Sequence, residues 1–200
     1  MRRGVLGGTF NPVHNGHLLI AEDVRVGLDL AEVIFVTAAR PWMKDTEELA
    51  AIEDRLEMVR LATAGNPHFS VSKVDRERPG PTYAGDTIRD LLRESVGLDE
   101  FFFIMGADSL ADLPRWHEAK GFVQLCRVAA VARVDRDTAA VVGVVERELP
   151  EAKGRIDVVE AALIDVSSTE IRQRVQDGET VRYRVPTAVE DYIRLKGLYA

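Results

Sequence analysis

The chain has 200 residues, of which 46% are hydrophobic and 30% are charged, which is enough apolar material for one core. Its net charge of -7 argues against a general nucleic-acid-binding protein, because such proteins carry a basic field. The single cysteine, Cys126, excludes a disulfide framework within the chain and indicates a reducing compartment. No signal-peptide pattern follows Met1 and no apolar run is long enough to span a bilayer, so we expect a cytoplasmic protein without a membrane partner.

Strand-like and helix-like segments alternate along the chain. Short runs rich in β-branched and aromatic residues predict strands, and longer runs with apolar residues at helical spacing predict helices. The predicted strands are RGVLGG (3–8), EVIFVTA (32–38), FSVSKV (69–74), FFFIM (101–105) and RVAAVAR (127–133). The predicted helices among them lie at 16–28, 51–63 and 82–95. This alternation is typical of an α/β fold with a doubly wound, Rossmann-like parallel sheet.

The last part of the chain has a different pattern. The segment 152–166 is strand-like in parts, and two short helices are predicted after it, at 168–178 and 186–197. Gly178 and Gly197 are suitable stops for these helices, and Pro186 suits the start of the second. We therefore divide the chain into a Rossmann-like core over residues 1–165 and a small C-terminal helical appendage over residues 166–200.

Two unusual loops follow the first and the fourth predicted strands. They contain GGTF (7–10) and MGAD (105–108). Ligands of doubly wound sheets bind beyond the carboxyl ends of the strands, where the strand order reverses. If the chain starts in the middle of the sheet, strands one and four are neighbours. We then expect these two loops to face each other across one crevice.

His14 and His17 stand near the start of the first predicted helix, three positions apart and on one helical face. They could be structural histidines, a metal-binding pair or donors to a phosphate. A metal pair needs a third ligand, and none follows at a recognisable spacing. The phosphate interpretation is favoured, since imidazole N–H groups beside a helix N-terminus form an anion site. The chain lacks both the G-x-G-x-x-G and the G-K-[ST] phosphate-loop patterns.

The segment VSSTEIRQR (166–174) contains an S-x-x-E capping box, which by itself predicts only a helix start. Ser168, Thr169 and Arg172 add two hydroxyl groups and a cation in the same turn, which together could clamp a polyphosphate. Both interpretations are compatible with one helix N-terminus.

Three further candidates each have a structural alternative. Asp108 could cap the helix after the fourth strand or accept a bond from a ribose hydroxyl. Trp116 could be a core residue or could stack on a flat ring from a loop edge. Lys44 could be an ordinary surface lysine or a phosphate contact.

Two of these segments carry a resemblance. GTFNPVHNGH (8–17) resembles the G-[TS]-F-[DN]-P-x-H-x-G-H signature of the nucleotidyltransferase superfamily, and SSTEIR (167–172) resembles its partner motif S-[ST]-T-x-[IL]-R. The narrower resemblance is to the bacterial nicotinate-nucleotide adenylyltransferases, and it covers nearly the whole chain. Segments 80–91, 101–118 and 181–199 also fit that family, whereas ARPWMK (39–44) departs from its usual Pro-Pro-His-Lys type of loop.

This resemblance implies a set of site residues. His14, His17 and Arg172 would be catalytic. The residues implied to bind ATP are Gly8, Thr9, Phe10, His17, Gly106, Asp108, Ser168, Thr169 and Arg172. Lys44, Thr82 and Trp116 would bind the mononucleotide, with Lys44 at its phosphate and the other two at the nicotinate ring. No protein metal site is implied, and Mg²⁺ would arrive with ATP.

The activity implied is adenylyl transfer from ATP to nicotinate mononucleotide, which gives deamido-NAD and pyrophosphate in NAD biosynthesis. The implied partners are these two small molecules, without nucleic acid or membrane, and a homo-oligomer is compatible with the family. Three alternatives stay open: the same transfer to nicotinamide mononucleotide, transfer to pantetheine phosphate, and a nucleotide-binding regulator without turnover.

Overall fold

A six-stranded parallel sheet lies at the centre of the computed structural model, which describes residues 1–40, 49–78, 80–132, 137–162 and 164–200. The strands are β1 (Arg2–Gly8), β2 (Glu32–Thr37), β3 (Phe69–Ser72), β4 (Glu100–Gly106), β5 (Arg127–Ala132) and β6 (Ile156–Glu160). Their order across the sheet is β3-β2-β1-β4-β5-β6, and every neighbouring pair is parallel. The predicted doubly wound sheet, with the first and fourth strands as neighbours, is confirmed.

Helices cover both faces of this sheet. They are α1 (Asn15–Gly27), α2 (Ile52–Thr63), α3 (Val74–Glu77), α4 (Ala84–Glu94), α5 (Ala107–Asp112), α6 (Ala119–Leu125), α7 (Thr138–Glu148), α8 (Ser168–Gln176) and α9 (Thr187–Lys196), with 3₁₀ turns at Leu113–Arg115 and Pro150–Ala152. No helix of the described ranges is both long and apolar enough to cross a membrane.

The strand β4 shows how the sequence builds two cores. Phe101, Phe103 and Met105 are buried on one face, together with residues of α4, α6 and α7. Phe102 and Ile104 are buried on the other face, together with residues of α1, α2, α8 and α9. Successive side chains of a strand point to opposite faces, so a strand buried on both sides becomes a continuous apolar run.

The two C-terminal helices belong to the second of these cores. Ile171 from α8 and Val189 and Ile193 from α9 are buried in the same cluster as Phe35 of β2 and Phe102 of β4. They therefore close one side of the sheet and do not form a separate core. The division at residue 165 remains a prediction about domain organisation.

The helices α3, α6 and α7 were not predicted, and α5 was expected only as a helix without bounds after the fourth strand. Three of these four have no more than seven residues, which is too short for a helical periodicity to emerge. The longest, α7, has the segment TAAVVGVVERE, whose β-branched run is also typical of a strand. Its N-terminus is fixed by Asp137, whose carboxylate accepts the Ala140 N–H at 3.0 Å.

Candidate active site

A cavity of about 680 Å³ opens beyond the carboxyl ends of β1 and β4. The loops after these two strands, which were predicted to face each other, both line this cavity. Its lining includes most of the predicted site residues: Gly8, Thr9, Phe10, His17, Thr82, Gly106, Trp116, Ser168, Thr169 and Arg172. The topology thus brings together residues as distant in the sequence as Gly8 and Arg172, which are 164 positions apart.

The loop after β1 turns sharply at Phe10, which has a positive φ of 47° and a side chain only 2% exposed. The Phe10 ring lies directly against Gly8, where a Cβ would meet ring carbons at 2.9 Å. The same ring contacts His17 edge to face, with centroids 5.0 Å apart. Glycine at position 8 therefore lets a buried aromatic ring support one of the two signature histidines.

His14 and His17 occupy the start of α1, where His14 is the N-cap. Their rings stack with centroids 3.6 Å apart. The backbone N–H of His14 donates to Nδ1 of His17 at 3.1 Å, so in the neutral ring the proton of His17 is on Nε2. Burial lowers the pKa of His14 to about 4, which makes it a neutral ring near pH 7.

The two histidines differ in their access to the cavity. His17 is half-buried and lines it, whereas His14 is 8% exposed and is not among the described lining residues. His17 therefore lies at the surface of the cavity, and the buried His14 ring stacks against it.

The N-terminus of α8 is attached to the loop after β1. The Ser168 hydroxyl donates to the carbonyl of Pro12 at 2.8 Å, and Nη1 of Arg172 donates to the carbonyl of Asn11 at 3.0 Å. Ser167 caps the helix by accepting the N–H of Glu170 at 3.1 Å. The two sequence motifs therefore form one wall of the cavity.

A fully buried arginine, Arg55 of α2, is hydrogen-bonded to the loop after β1, which is part of this wall. It is 2% exposed, and its guanidinium donates to the carbonyls of Thr9 at 2.7 Å, Ala38 at 2.8 Å and Ala39 at 3.3 Å. Its Nε donates to the carbonyl of Ala50 at 3.0 Å. Burial lowers the pKa of Arg55 from its ordinary value, yet a guanidinium stays charged near pH 7. One side chain thus connects the loops after β1 and β2.

Gly106 lines the cavity at the end of β4, and Asp108 follows two positions later in the first turn of α5. Gly106 is the N-cap of α5 with a φ of -75°, and a Cβ built there would meet no described atom within 4 Å. Neither the backbone nor its described neighbours therefore require glycine at this position. Asp108 is exposed in the first turn of α5, so the capping position that the sequence allowed for it belongs to Gly106.

One part of the cavity, called its inner end below, is lined by Thr82, Phe103 and Trp116. The Trp116 ring contacts Phe103 edge to face at 6.1 Å and Phe122 at 5.5 Å, and it is half-buried. Thr82 and Arg40 exchange two bonds, because the Thr82 N–H donates to the Arg40 carbonyl at 3.0 Å and its hydroxyl accepts the Arg40 N–H at 3.2 Å. The helix that was expected to begin near Thr82 begins at Ala84.

A buried carboxylate, Asp75, lies at the same end. It is 3% exposed, and one of its oxygens accepts bonds from the Thr87 hydroxyl and from Nη2 of Arg78, both at 2.7 Å. Burial raises the pKa of Asp75, while Thr87 and Arg78 act in the opposite direction. Asp75 and Thr87 both line the cavity.

Some predicted residues have no described position in the cavity. Lys44 lies outside the described residues, and Asp108 is not among the described residues that line the cavity. Arg55 and Asp75 were not predicted as site residues. Arg55 had a detectable signal, since it lies between Ile52 and Val59 at the spacing of their apolar helix face, where a charged residue is unexpected.

Comparison with known proteins identifies the family. The cytidylyltransferase-like family model matches residues 5–174. A probable nicotinate-nucleotide adenylyltransferase of Geobacter metallireducens is 44% identical over 213 aligned positions, which cover 100% of this chain and 98% of the relative. A protein of the same name from Roseiflexus sp. (strain RS-1) is 43% identical over 98% of this chain and 96% of its own length.

The chain belongs to the nicotinate-nucleotide adenylyltransferase family. This membership confirms the resemblance that the two motifs indicated and makes the chain a nucleotidyltransferase of NAD biosynthesis.

A solved structure supports the fold independently. The nicotinic acid mononucleotide adenylyltransferase of Plasmodium falciparum, complexed with NaAD, superposes with a TM-score of 0.77 over 99% of this chain and 97% of that chain. The two sequences are only 16% identical, so this likeness bears on the fold of the nucleotidyltransferase and not on its individual residues.

Proposed function

We propose that the cavity binds ATP and nicotinate mononucleotide and transfers the adenylyl group from the first to the second, releasing pyrophosphate. The observation that carries the proposal is the bond from Arg172 to the carbonyl of Asn11. It joins the two nucleotidyltransferase motifs at one cavity wall, so that His17, Ser168, Thr169 and Arg172 can all face one polyphosphate.

The outer part of the cavity suits ATP. Nε2–H of His17 and the guanidinium of Arg172 are donors for phosphate oxygens, and the first turn of α8 adds the positive end of a helix. Gly8, Thr9 and Phe10 form the floor of this part, and the open space at Gly106 lets a nucleoside approach the backbone closely. Asp108, exposed beside that space, would accept a bond from a ribose hydroxyl.

The inner part suits the nicotinate ring. Trp116 offers an aromatic face, and Thr82 precedes the N-terminal turn of α4. The Thr82 N–H is already bonded to Arg40, and the N–H groups of Asp86 and Thr87 donate to the Tyr83 carbonyl. The donors that we expect for a carboxylate are therefore the N–H groups of Ala84 and Gly85 at the start of α4. A nicotinamide group would present an NH₂ donor to these donors, which leaves buried polar groups unpaired. Lys44 is proposed at the phosphate of the mononucleotide, on the resemblance alone.

The chemistry needs no covalent enzyme intermediate and no general base. The phosphate of nicotinate mononucleotide is already anionic near pH 7, and one of its oxygens attacks the α-phosphorus of ATP while the bond to pyrophosphate breaks. The protein positions the two reactants in line and offsets the charge that spreads over the phosphate oxygens. We treat Mg²⁺ as part of the ATP substrate, since no cluster of three metal-ligating side chains occurs among the residues that the structure describes.

The test is a pyrophosphate-release assay with ATP and each of three acceptors: nicotinate mononucleotide, nicotinamide mononucleotide and pantetheine phosphate. We expect turnover with the acid mononucleotide at an efficiency at least about tenfold above that with the amide, which corresponds to ~1.4 kcal/mol. Pantetheine phosphate should give no turnover above background.

The outcomes separate the alternatives. Equal efficiencies, or a preference for the amide, would contradict the carboxylate-binding role of α4 but leave adenylyl transfer intact. ATP binding without turnover on any acceptor would instead favour the nucleotide-binding regulator.

A further inference from the structure

A tyrosine near the end of the chain contacts the loop after β1. The hydroxyl of Tyr199 donates to Oδ1 of Asn11 at 2.8 Å, across 188 positions of sequence. The same oxygen accepts the backbone N–H of Ala50 at 3.1 Å. Asn11 is only 3% exposed, so its carboxamide oxygen is held by two donors in a buried setting.

The end of α9 is built so that Tyr199 reaches this loop. Gly197 takes a left-handed φ of 60°, the N–H of Leu198 donates to the Ile193 carbonyl at 3.1 Å, and the N–H of Gly197 donates to the Arg194 carbonyl at 3.4 Å. This is the bonding pattern of a Schellman motif, which ends a helix and reverses the chain. Leu198 and Tyr199 then pack against the second core.

Asn11 is a part of the cavity wall on which two C-terminal elements converge. Its backbone carbonyl accepts the Arg172 guanidinium from α8, and its side chain accepts the Tyr199 hydroxyl. Thr9 and Phe10, which precede it, form the cavity floor together with Gly8. A rotation of Asn11 would therefore move the floor and the partner of Arg172 together.

We infer that Tyr199 is a positioning residue for the nucleotide half of the site and acts through Asn11. It has no place in the described cavity lining, so its effect on ATP is indirect. Burial raises the pKa of its phenol, which therefore stays protonated and remains a donor across the neutral pH range. The inference rests on the proposed adenylyl transfer, because its consequence is measured on that reaction.

The chain supplies a matched control. The hydroxyl of Tyr192, also from the C-terminal segment, donates to Oδ1 of Asp54 in α2, again at 2.8 Å. The two tyrosines thus make equally short bonds to an acidic or amide oxygen on the same side of the molecule. Their acceptors differ in position, since Asp54 is not among the described residues of the cavity and Asn11 is.

The experiment compares Tyr199→Phe with Tyr192→Phe, each of which removes one hydroxyl and keeps the ring. For Tyr199→Phe we expect kcat/KM for ATP to fall by about tenfold or more, because small displacements of positioning groups are costly to rate. The KM for the mononucleotide should stay within about twofold, since that substrate binds the inner half of the cavity. Tyr192→Phe should keep both values of the unmodified enzyme.

A double-mutant cycle tests the route of the effect. Asn11→Ala removes the acceptor, and in that background Tyr199→Phe should cause no further loss, because the two residues act as one unit. Additive losses would overturn the inference. So would equal kinetic values for the two tyrosine variants, or a rise in the KM of both substrates together. If Tyr199→Phe fails to fold, Tyr199→Met, which also lacks the hydroxyl, takes its place in the comparison and in the cycle.

The failure of this inference differs from the failure of the proposed function. An unmodified enzyme without adenylyl transfer would contradict the function itself. An active unmodified enzyme with an equally active Tyr199→Phe variant would overturn only the positioning role.

Discussion

Two glycines of the candidate site, Gly8 and Gly106, differ in the space around their Cα atoms. Gly8 is packed against the Phe10 ring and has none, whereas Gly106 faces open space with an ordinary φ. Because neither packing nor backbone requires glycine at position 106, a methyl group added there tests whether a ligand approaches this part of the cavity.

The first prediction concerns Gly106→Ala. The free energy of unfolding should be unchanged within about 0.5 kcal/mol, since alanine adopts this backbone without strain and a surface substitution of this kind is usually neutral. The KM for ATP should rise several-fold, because the new methyl group occupies the space proposed for the nucleoside. Gly97→Ala is the control, since Gly97 is also exposed, has no described neighbour within 4 Å of a Cβ and lies outside the cavity. Equal KM values in the two variants would argue against nucleoside approach at Gly106.

A second prediction follows from the buried His14 ring. Its pKa is about 4 in the folded protein and near 6.5 in the unfolded chain, so protonation is favoured in the unfolded state between these values. The contribution of His14 to stability is therefore complete above pH 6.5 and is lost as the pH falls towards 4. At ~1.36 kcal/mol per pH unit, the loss amounts to about 3 kcal/mol.

Urea unfolding of the native protein and of His14→Asn, each at pH 7 and pH 4, measures this contribution. Asparagine keeps an N-cap but does not titrate. The stability of the native protein should therefore fall by more than that of the variant over this range. Parallel pH profiles for the two proteins would show that His14 keeps an ordinary pKa.

At the scale of elements, the buried Arg55 connects three segments: the loop after β1, the loop after β2 and the segment before α2. For Arg55→Met we expect a loss of about 3 kcal/mol or more in the free energy of unfolding, because each unpaired buried carbonyl costs roughly 1–3 kcal/mol. Arg60→Met in the same helix is the control, since the side chain of Arg60 is 60% exposed and is paired only with Glu57 among the described residues. Chemical denaturation measures the free energy of unfolding of both variants. Similar decreases in the two variants would contradict a special role of Arg55.

The elements also show what the sequence could predict. The strands β1, β2, β4 and β5 are apolar runs buried on both faces, so their positions were predicted correctly. The prediction that β1 and β4 are neighbours in the sheet was also correct. The short helices α3 and α6, and the bounds of α5, were missed because fewer than two turns of helix show no recognisable periodicity.

The motifs predicted a set of candidate site residues, and most of these residues line one cavity. The contacts of Arg55 and Tyr199 were not predicted, since they depend on partners 46 and 188 positions away in the sequence. The contacts of Asp75 with Arg78 and Thr87 are closer in sequence, but they depend on how α3 packs against α4. The only feature of the sequence that indicated a buried role for Arg55 was its position as a charged residue on an apolar helix face.

At the scale of the whole molecule, the two predicted segments 1–165 and 166–200 share one buried cluster. We therefore expect one cooperative unfolding transition. Both tryptophans precede residue 166, so their fluorescence reports on the first segment, whereas far-ultraviolet circular dichroism also reports α8 and α9. The two thermal curves should coincide. An earlier loss of circular dichroism with unchanged fluorescence would mean that the C-terminal helices melt separately.

The attachment of residues 11–12 to α8 and Tyr199 has a consequence for biosynthesis. The signature loop leaves the ribosome well before the groups that fix it, since Ser168, Arg172 and Tyr199 are synthesised 156 to 188 positions later. Contacts of such long range form late, since the intervening chain must first be ordered. A nascent or prematurely terminated chain without Tyr199 would therefore lack an organised signature loop, and the ability to bind ATP would be acquired only after Tyr199 has been synthesised.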